Sequence, residues 1–389
     1  MIKANKNTRI SEIIFFVPFA LYYIARTIEY TNYANEHNAQ IFNVVKLIAY
    51  GLAVIGLAYN AVSQGLSKRI LLTRLGILIF VLYQVIRWDE RSVFVVLLFS
   101  FLFRIKDMKR YLRFCLRTGV IIYIATVAGS LLGIIPNVGT TTNKYGITWE
   151  RFSLGFGYPG QTLMSLIPLV MMDIYLHKNK KSRLIRSLIW LVIVVVLFTQ
   201  SQTIMPSIVC VAYLGLANLP IKDKLLKGKR TYITFICCGI SLLLIFLRYY
   251  GLLPVMYIDR LINYRLSLTI TAIKKYGITL LGTGFSNIGN ESEYLFLDSD
   301  YAHILITNGA FYLIICVCMF NLCIAWAKRQ NDSDLFLIFM MIAVNSMVNN
   351  GMFNLVLNPF IIVLALAIKD NGRRLVKPGE RFKWKIQSL

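Results

Sequence analysis

Residues 41–61 read IFNVVKLIAYGLAVIGLAYNA, an apolar run that carries one charged residue, Lys46. The hydrocarbon core of a bilayer is about 30 Å thick, and an α-helix needs about 20 mainly apolar residues to cross it. This stretch therefore predicts a transmembrane helix.

Composition extends the prediction to the whole chain. Of its 389 residues, 57% are hydrophobic and 15% are charged, and the mean hydropathy is +0.63. Soluble domains carry about 25% charged residues, so a soluble protein is excluded. The seven cysteines lie in or beside apolar runs, where a free thiol packs as a small hydrophobe, and no disulfide framework is predicted. The expected fold is an all-α polytopic membrane protein, with one integral membrane domain over residues 1–389.

Apolar runs bounded by charge predict about twelve transmembrane helices. Those at 91–104, 187–200 and 335–348 are short for a bilayer crossing. The predicted spans are 11–27, 41–61, 70–86, 91–104, 118–135, 158–176, 187–200, 204–220, 232–249, 305–326, 335–348 and 352–368.

Charge sets the predicted orientation. The formal net charge of +24 would favour nucleic acid in a soluble chain, but in a membrane chain Lys and Arg collect in cytoplasmic loops, so nucleic-acid binding is not expected. With the N-terminus inside, 31 of the 42 Lys and Arg residues fall in inner segments and ten in outer segments. Both termini are therefore predicted to be cytoplasmic, and residues 369–389 form a basic cytoplasmic tail.

Two outer segments are longer than a helical bundle needs, and we expect function there. They cover residues 136–157 and residues 250–304. Within the second, residues 256–276 have a partly helical apolar period. An amphipathic helix along the outer membrane face fits that pattern.

Outer arginines within apolar sequence are candidates for a phosphate or carboxylate site, because the planar guanidinium bonds such oxygens in pairs. Arg151, Arg260 and Arg265 meet this description. Lys274 and Lys275 fit better as solvated or headgroup charges.

The segment RFSLGFGYPGQTL, residues 151–163, follows the first long outer stretch. Gly155 and Gly157 permit close backbone approach, and Pro159 can occupy the first turn of a helix. Two interpretations stay open: a loop that presents a helix N-terminus to an anion, or a simple turn into the span at 158–176.

Four ionisable side chains lie at the mouth of the span at 305–326, namely Asp298, Asp300, Tyr301 and His303. Such a cluster at a membrane entrance is a functional candidate. The Asp298-x-Asp300 pattern also suits magnesium or manganese. His303 taken alone is typical of a satisfied interfacial histidine.

Taken together, these motifs resemble the Wzy-type polymerases of O-antigen, capsule and exopolysaccharide repeat units and their relatives, the O-antigen ligases. Three motifs carry the resemblance in the family's order. They are Arg151, Gly155, Phe156, Tyr158 and Pro159; Arg265-Leu266 followed by Gly282-Thr283-Gly284; and Asp298, Ser299, Tyr301, Ala302, Leu305 and Gly309.

The sequence also departs from the family pattern. Gly160 stands where many members have Asn, and Ser299 and Ala302 replace Asn and Leu. Asp298 occupies the position of the ligase histidine. Since His303 does not align with that position, the ligase histidine role is not transferred to it.

The resemblance implies a GT-C-like, multi-pass glycosyltransferase in the cytoplasmic membrane of a bacterial cell. It would join polyprenyl-pyrophosphate-linked oligosaccharides on the outer face, alongside flippase and chain-length regulator proteins. Arg151 and Arg265 would stabilise charge, and Asp298, or else Asp300, would act as general base. No metal or other cofactor is required. The implied substrate-binding residues are Arg260, Gly155, Tyr158, Gly282, Gly284, Asp300, Tyr301 and His303.

Three alternatives stay open. An O-antigen ligase differs mainly in its acceptor, and Asp298 in place of histidine argues against it. A lipid-linked oligosaccharide flippase needs charge inside a central cavity and no long outer loop. A twelve-span major-facilitator transporter has two six-span halves joined by a central cytoplasmic loop, whereas here the largest loop is predicted outside.

Overall fold

A computed structural model describes residues 2–34, 38–63, 68–88, 91–103, 108–144, 147–177, 179–228, 232–290 and 293–376. The chain is mostly helical, at 77%, and fits an all-α membrane protein. Part of the predicted basic tail, residues 377–389, lies outside the described residues.

The described chain contains sixteen α-helices, two short 3₁₀ helices (Asn32–Ala34 and Pro359–Val363) and two pairs of short β-strands. The strands β1 (Gly139–Lys144) and β2 (Ile147–Phe152) pair antiparallel, as do β3 (Ile288–Asn290) and β4 (Glu293–Leu295). The helices are α1 (Ile2–Ile28), α2 (Ala39–Ser63), α3 (Lys68–Trp88), α4 (Ser92–Leu102), α5 (Met108–Leu131), α6 (Pro159–Leu176), α7 (Lys180–Ser201), α8 (Ile204–Asn218), α9 (Ile221–Lys227), α10 (Ile233–Tyr249), α11 (Leu253–Leu261), α12 (Arg265–Tyr276), α13 (Asp300–Thr307), α14 (Ala310–Arg329), α15 (Ser333–Asn345) and α16 (Leu364–Val376).

Length and composition identify four of the described helices as candidate membrane spans: α2, α5, α7 and α14. Two bent pairs, α8 with α9 at 86° and α10 with α11 at 116°, raise the number to six if each pair is one span. The short apolar run at 91–104 forms α4, in which nine of eleven residues are buried. A helix that is apolar all round belongs in the interior of a bundle. The number of twelve spans remains a prediction.

Three predicted continuous helices are broken. In the run at 352–368, residues 352–358 form turns, Pro359–Val363 forms a 3₁₀ helix, and α16 begins at Leu364. The run at 305–326 divides into α13 and α14, with Asn308 and Gly309 between them, and Gly309 has φ of 96°. The amphipathic stretch at 256–276 divides into α11 and α12, because Asn263 and Tyr264 adopt left-handed backbone angles. Helical periodicity does not report such a change of direction, because both halves keep their own apolar face.

Connections assigned to the outer side contact one another, although they are far apart in sequence. The segment after α1 contacts the segment before α6. The other three contacts also join segments that lie at the ends of helices. The contacts are Asn32 N–H to Gly155 O at 2.7 Å, Trp88 Nε1 to Leu281 O at 3.1 Å, Arg151 Nε to Ser201 O at 3.0 Å and Arg265 Nη1 to Asn349 Oδ1 at 2.8 Å.

Connections assigned to the inner side meet in a second group, built around a buried ion cluster. Arg183 of α7 donates to both carboxylate oxygens of Asp334, at 3.0 and 2.8 Å. Lys222 of α9 binds the same carboxylate at 2.5 Å. Arg183 and Asp334 are buried, at 6% and 8% exposure. The cluster therefore ties together the ends of α7, α9 and α15.

The predicted sidedness can be tested with topology reporters. We expect a reporter fused at residue 225 to report the cytoplasm and one inserted near residue 290 to report the exterior. The reason is the five basic residues over 222–230, which favour cytoplasmic retention. The measurement is reporter activity in intact cells, normalised to protein abundance. The same side at both positions would contradict the span assignment.

Candidate functional site

Helix α12 places Arg265 at its first residue. The preceding helix supplies Asp259, which is 1% exposed and whose Oδ1 accepts the backbone N–H of Leu266 at 2.9 Å. Its Oδ2 accepts from Arg248 Nε at 2.9 Å and from the hydroxyl of Ser267. A carboxylate that accepts N–H groups in the first turn stabilises a helix start. Asp259 therefore fixes where α12 begins and, with it, the position of Arg265.

Arg265 binds groups from two further segments. Its Nε lies 2.9 Å from Oδ2 of Asp298, and both side chains are 18% exposed. Its Nη1 donates to Asn349 Oδ1 at 2.8 Å and also to the carbonyl of Val348. Burial raises the pKa of Asp298, while the positive charge of Arg265 opposes that rise. The two residues that the sequence analysis proposed as charge stabiliser and base are therefore in direct contact.

Arg151, on strand β2, lies near this pair. Its guanidinium donates to neutral acceptors, the carbonyl of Ser201 at 3.0 Å and the hydroxyl of Thr203 at 3.2 Å. Burial lowers the pKa of Arg151, and the positive charge of Arg265 lowers it further. Among the described contacts, Arg265 pairs with the carboxylate of Asp298, whereas the contacts of Arg151 are to uncharged groups and its charge interacts with that of Arg265. We call Arg151, Arg265 and Asp298 the arginine cluster; it carries excess positive charge that a bound anion would balance.

A cavity of about 370 Å³ is lined by residues close in the chain to Asp298 and Asn349. Its lining includes three of the residues predicted from sequence, Tyr158, Asp300 and His303. The full lining is Arg26, Glu29, Tyr30, Ser92, Val93, Gly157, Tyr158, Gln161, Phe296, Asp300, His303, Ile304, Tyr312, Asn350, Gly351, Phe353 and Asn354. Cavity and cluster are adjacent along the chain, since residues 298 and 349 belong to the cluster's contacts and residues 300 and 350 line the cavity.

Asp300 holds the cavity wall in place. Its two oxygens accept the backbone N–H groups of Gly351 at 3.1 Å and of Met352 at 2.8 Å. Burial raises the pKa of Asp300 to about 6, and these two hydrogen bonds oppose that rise. Asp300 thus has a clear structural role in addition to facing the cavity.

The end of α1 contributes two charged residues that the sequence analysis missed, Arg26 and Glu29. Arg26 Nη1 bonds Glu29 Oε2 at 2.9 Å, and Lys46 of α2 pairs with the other oxygen of Glu29. The usable signal was an oppositely charged i, i+3 pair at the predicted outer end of the first apolar run. This pair lies outside both of the long outer segments, residues 136–157 and 250–304.

The segment RFSLGFGYPGQTL forms the predicted loop followed by a helix. Pro159 is the first residue of α6, as predicted, and Tyr158 precedes it in an extended conformation. Gly155 has φ of 84°, and a Cβ there would lie 2.8 Å from the carbonyl of Thr126. Glycine is therefore required here for packing against α5.

Both glycines of the Gly282-Thr283-Gly284 motif pack against other parts of the chain. A Cβ at Gly282 would lie 2.3 Å from the carbonyl of Thr307, and one at Gly284 would lie 2.1 Å from the ring of Trp88. Gly282 of the motif thus packs against the break between α13 and α14.

Tyr301 and Arg260 lie apart from the cluster and the cavity lining. Tyr301 is fully buried, and its hydroxyl donates to the carbonyl of Ala343 at 3.0 Å. Arg260 is exposed on the last turn of α11.

The metal site suggested by the Asp298-x-Asp300 pattern is a separate question. Asp298 and Asp300 have different partners, and the described residues contain no group of three His, Cys, Asp or Glu side chains placed to hold a metal ion.

No protein-family model, curated protein or solved structure matches this chain.

Proposed function

We propose that this protein is a membrane glycosyltransferase that polymerises polyprenyl-pyrophosphate-linked oligosaccharide repeat units at the outer face of a bacterial cytoplasmic membrane. The observation that carries the proposal is the arginine cluster, in which Arg265 pairs with Asp298 and a second guanidinium, that of Arg151, lies near enough for the two positive charges to interact. The three-motif resemblance to the Wzy-type polymerases supports it.

The cluster suits the leaving group. In the proposed reaction, a hydroxyl oxygen of the acceptor sugar attacks the anomeric carbon of the donor glycan. The bond between that carbon and the pyrophosphate oxygen breaks, and its electron pair departs with the pyrophosphate. Preorganised cations in a water-poor site stabilise such developing negative charge, often by several kcal/mol. Arg151 and Arg265 supply these cations, so the mechanism requires no metal.

A carboxylate completes the reaction by accepting the proton of the acceptor hydroxyl. Asp298 is the proposed base because it lies against Arg265, and burial brings its pKa closer to neutral pH, where a base is most effective. Asp300 is the second choice, because both of its carboxylate oxygens already accept hydrogen bonds from backbone N–H groups. The other proposed partners are a flippase, a chain-length regulator and the lipid bilayer itself.

Deleting the gene in its native host tests the proposed function. We expect lipid-linked single repeat units, or surface glycan one unit long, in place of long chains. The measurement is the size distribution of surface glycan together with the sidedness of the lipid-linked pool, and a plasmid-borne copy should restore long chains. Repeat units held on the cytoplasmic face would favour a flippase, and unchanged glycan length would contradict both functions.

A further inference from the structure

The cavity and the arginine cluster differ in charge. Among the described lining residues, the guanidinium of Arg26 is already paired with Glu29, and the carboxylate of Asp300 adds a second acidic group. The cavity therefore has no surplus positive charge to hold a pyrophosphate, whereas the arginine cluster does. The two neighbouring sites are suited to different parts of one ligand.

The remaining lining suits a ring rich in hydroxyl groups. Aromatic side chains such as Tyr158 and Phe353 offer flat apolar surface to the C–H face of a sugar. The side-chain amide of Gln161 donates one N–H to Ser165 Oγ at 3.1 Å, and an amide group has a second N–H and a carbonyl oxygen with which to bind a hydroxyl. The volume of about 370 Å³ lies within the range of small-molecule sites, roughly 300–1,000 Å³.

Glu29 is held in a fixed position at this cavity. Arg26 binds one carboxylate oxygen and Lys46 binds the other, and the side chain is 14% exposed. Each carboxylate oxygen can accept about two hydrogen bonds, so both retain capacity for a ligand. A carboxylate held in this way can accept hydrogen bonds from sugar hydroxyls without being reoriented.

We propose that the cavity is a sugar subsite, in which Glu29 and Tyr158 bind a sugar of the repeat unit that carries no net negative charge. The inference rests on the proposed function, because the polyprenyl pyrophosphate of the same molecule would occupy the adjacent arginine cluster. It adds a role for the first helix that none of the three sequence motifs includes.

The test is calorimetric titration of the full-length protein in detergent with two separate probes. One is the repeat-unit oligosaccharide, released by mild acid from the lipid-linked pool of the deletion strain; the other is inorganic pyrophosphate. We expect Glu29→Gln and Tyr158→Leu each to raise the Kd for the oligosaccharide about tenfold, the effect of losing one hydrogen bond to a charged group or one stacking ring. Their Kd for pyrophosphate should change less than twofold. Arg265→Ala should show the reverse pattern.

Glu12→Gln is the matched control, because Glu12 lies on α1, the helix that Glu29 directly follows, and also pairs with an arginine, Arg110. It should leave both affinities unchanged. If Glu29→Gln fails to fold, Tyr158→Leu decides the question, because its side chain is 42% exposed.

Several results would overturn the inference. They are an oligosaccharide affinity that neither variant changes, an equal loss of pyrophosphate affinity in both, or oligosaccharide binding that disappears when the carboxyl groups of the probe are reduced. Pyrophosphate binding without oligosaccharide binding would overturn the subsite and leave the proposed function standing. Binding of neither probe to the wild-type protein would overturn both.

Discussion

Replacing Arg265 by alanine should abolish polymerisation, and replacing it by lysine should leave at most a small residual activity. Losing one preorganised charge-stabilising contact typically costs on the order of 3 kcal/mol, a hundredfold or more in rate. Lysine keeps the charge but lacks the planar fork with which Arg265 reaches Asp298 and Asn349 together. The measurement is glycan chain length in a deletion strain that expresses each variant.

Lys274→Ala is the matched control for this substitution, because Lys274 is an exposed cation on the same helix, lying 5.6 Å from the ring of Tyr249. It should be near neutral. Membrane abundance must be measured for each variant, since a misfolded protein would also produce no polymer. Wild-type chain lengths from well-expressed Arg265→Ala would reject the phosphate role and leave Arg151 as the only candidate arginine in the cluster.

Removing the carboxylate of Asp334 should cost stability and leave the chemistry intact. In Asp334→Ala, the buried guanidinium of Arg183 loses both of its carboxylate bonds, and Lys222 loses its partner. Breaking a buried ion pair from one side typically destabilises a protein by about 3–5 kcal/mol, because the remaining charge stays buried. We expect a marked fall in abundance and in the midpoint of thermal unfolding in detergent.

Asp223→Ala provides the comparison, since Asp223 is an exposed carboxylate on α9, the helix that carries Lys222. Exposed substitutions of this kind usually change stability by less than about 0.5 kcal/mol. Activity per folded molecule should be normal in both variants. A thermal midpoint for Asp334→Ala equal to that of the wild type would show that the cluster contributes little.

Much of the helical layout follows from hydropathy alone. Most predicted apolar runs correspond to α-helices in the described chain, because apolar runs have few alternatives in a bilayer. The run at 352–368 is an exception, since its α-helix begins only at Leu364. The breaks were not predictable in this way. Gly309 interrupts the run at 305–326 because its backbone packs against that of Gly282, a contact between residues 27 positions apart.

Some contacts of the candidate site were predicted from sequence. Arg265 and Asp298 were assigned to one site from sequence, and they are in contact. Arg26 and Glu29 were missed because they reach the cavity only when the end of α1 meets residues 157–161 and 350–354. Contacts between distant segments leave no periodic signal in a single sequence. For the same reason, the motif predicted that Gly282 binds substrate, whereas in the structure its backbone packs against that of Gly309.

The most direct measurement of the proposed activity uses the purified wild-type protein in liposomes with purified polyprenyl-pyrophosphate-linked repeat units and a metal chelator. No other protein is added. We expect a ladder of lipid-linked oligomers that differ by one repeat unit, with release of one polyprenyl pyrophosphate for each bond formed. Repeat units that stay monomeric, in a preparation that is folded and correctly inserted, would contradict the assignment of this protein as a polymerase.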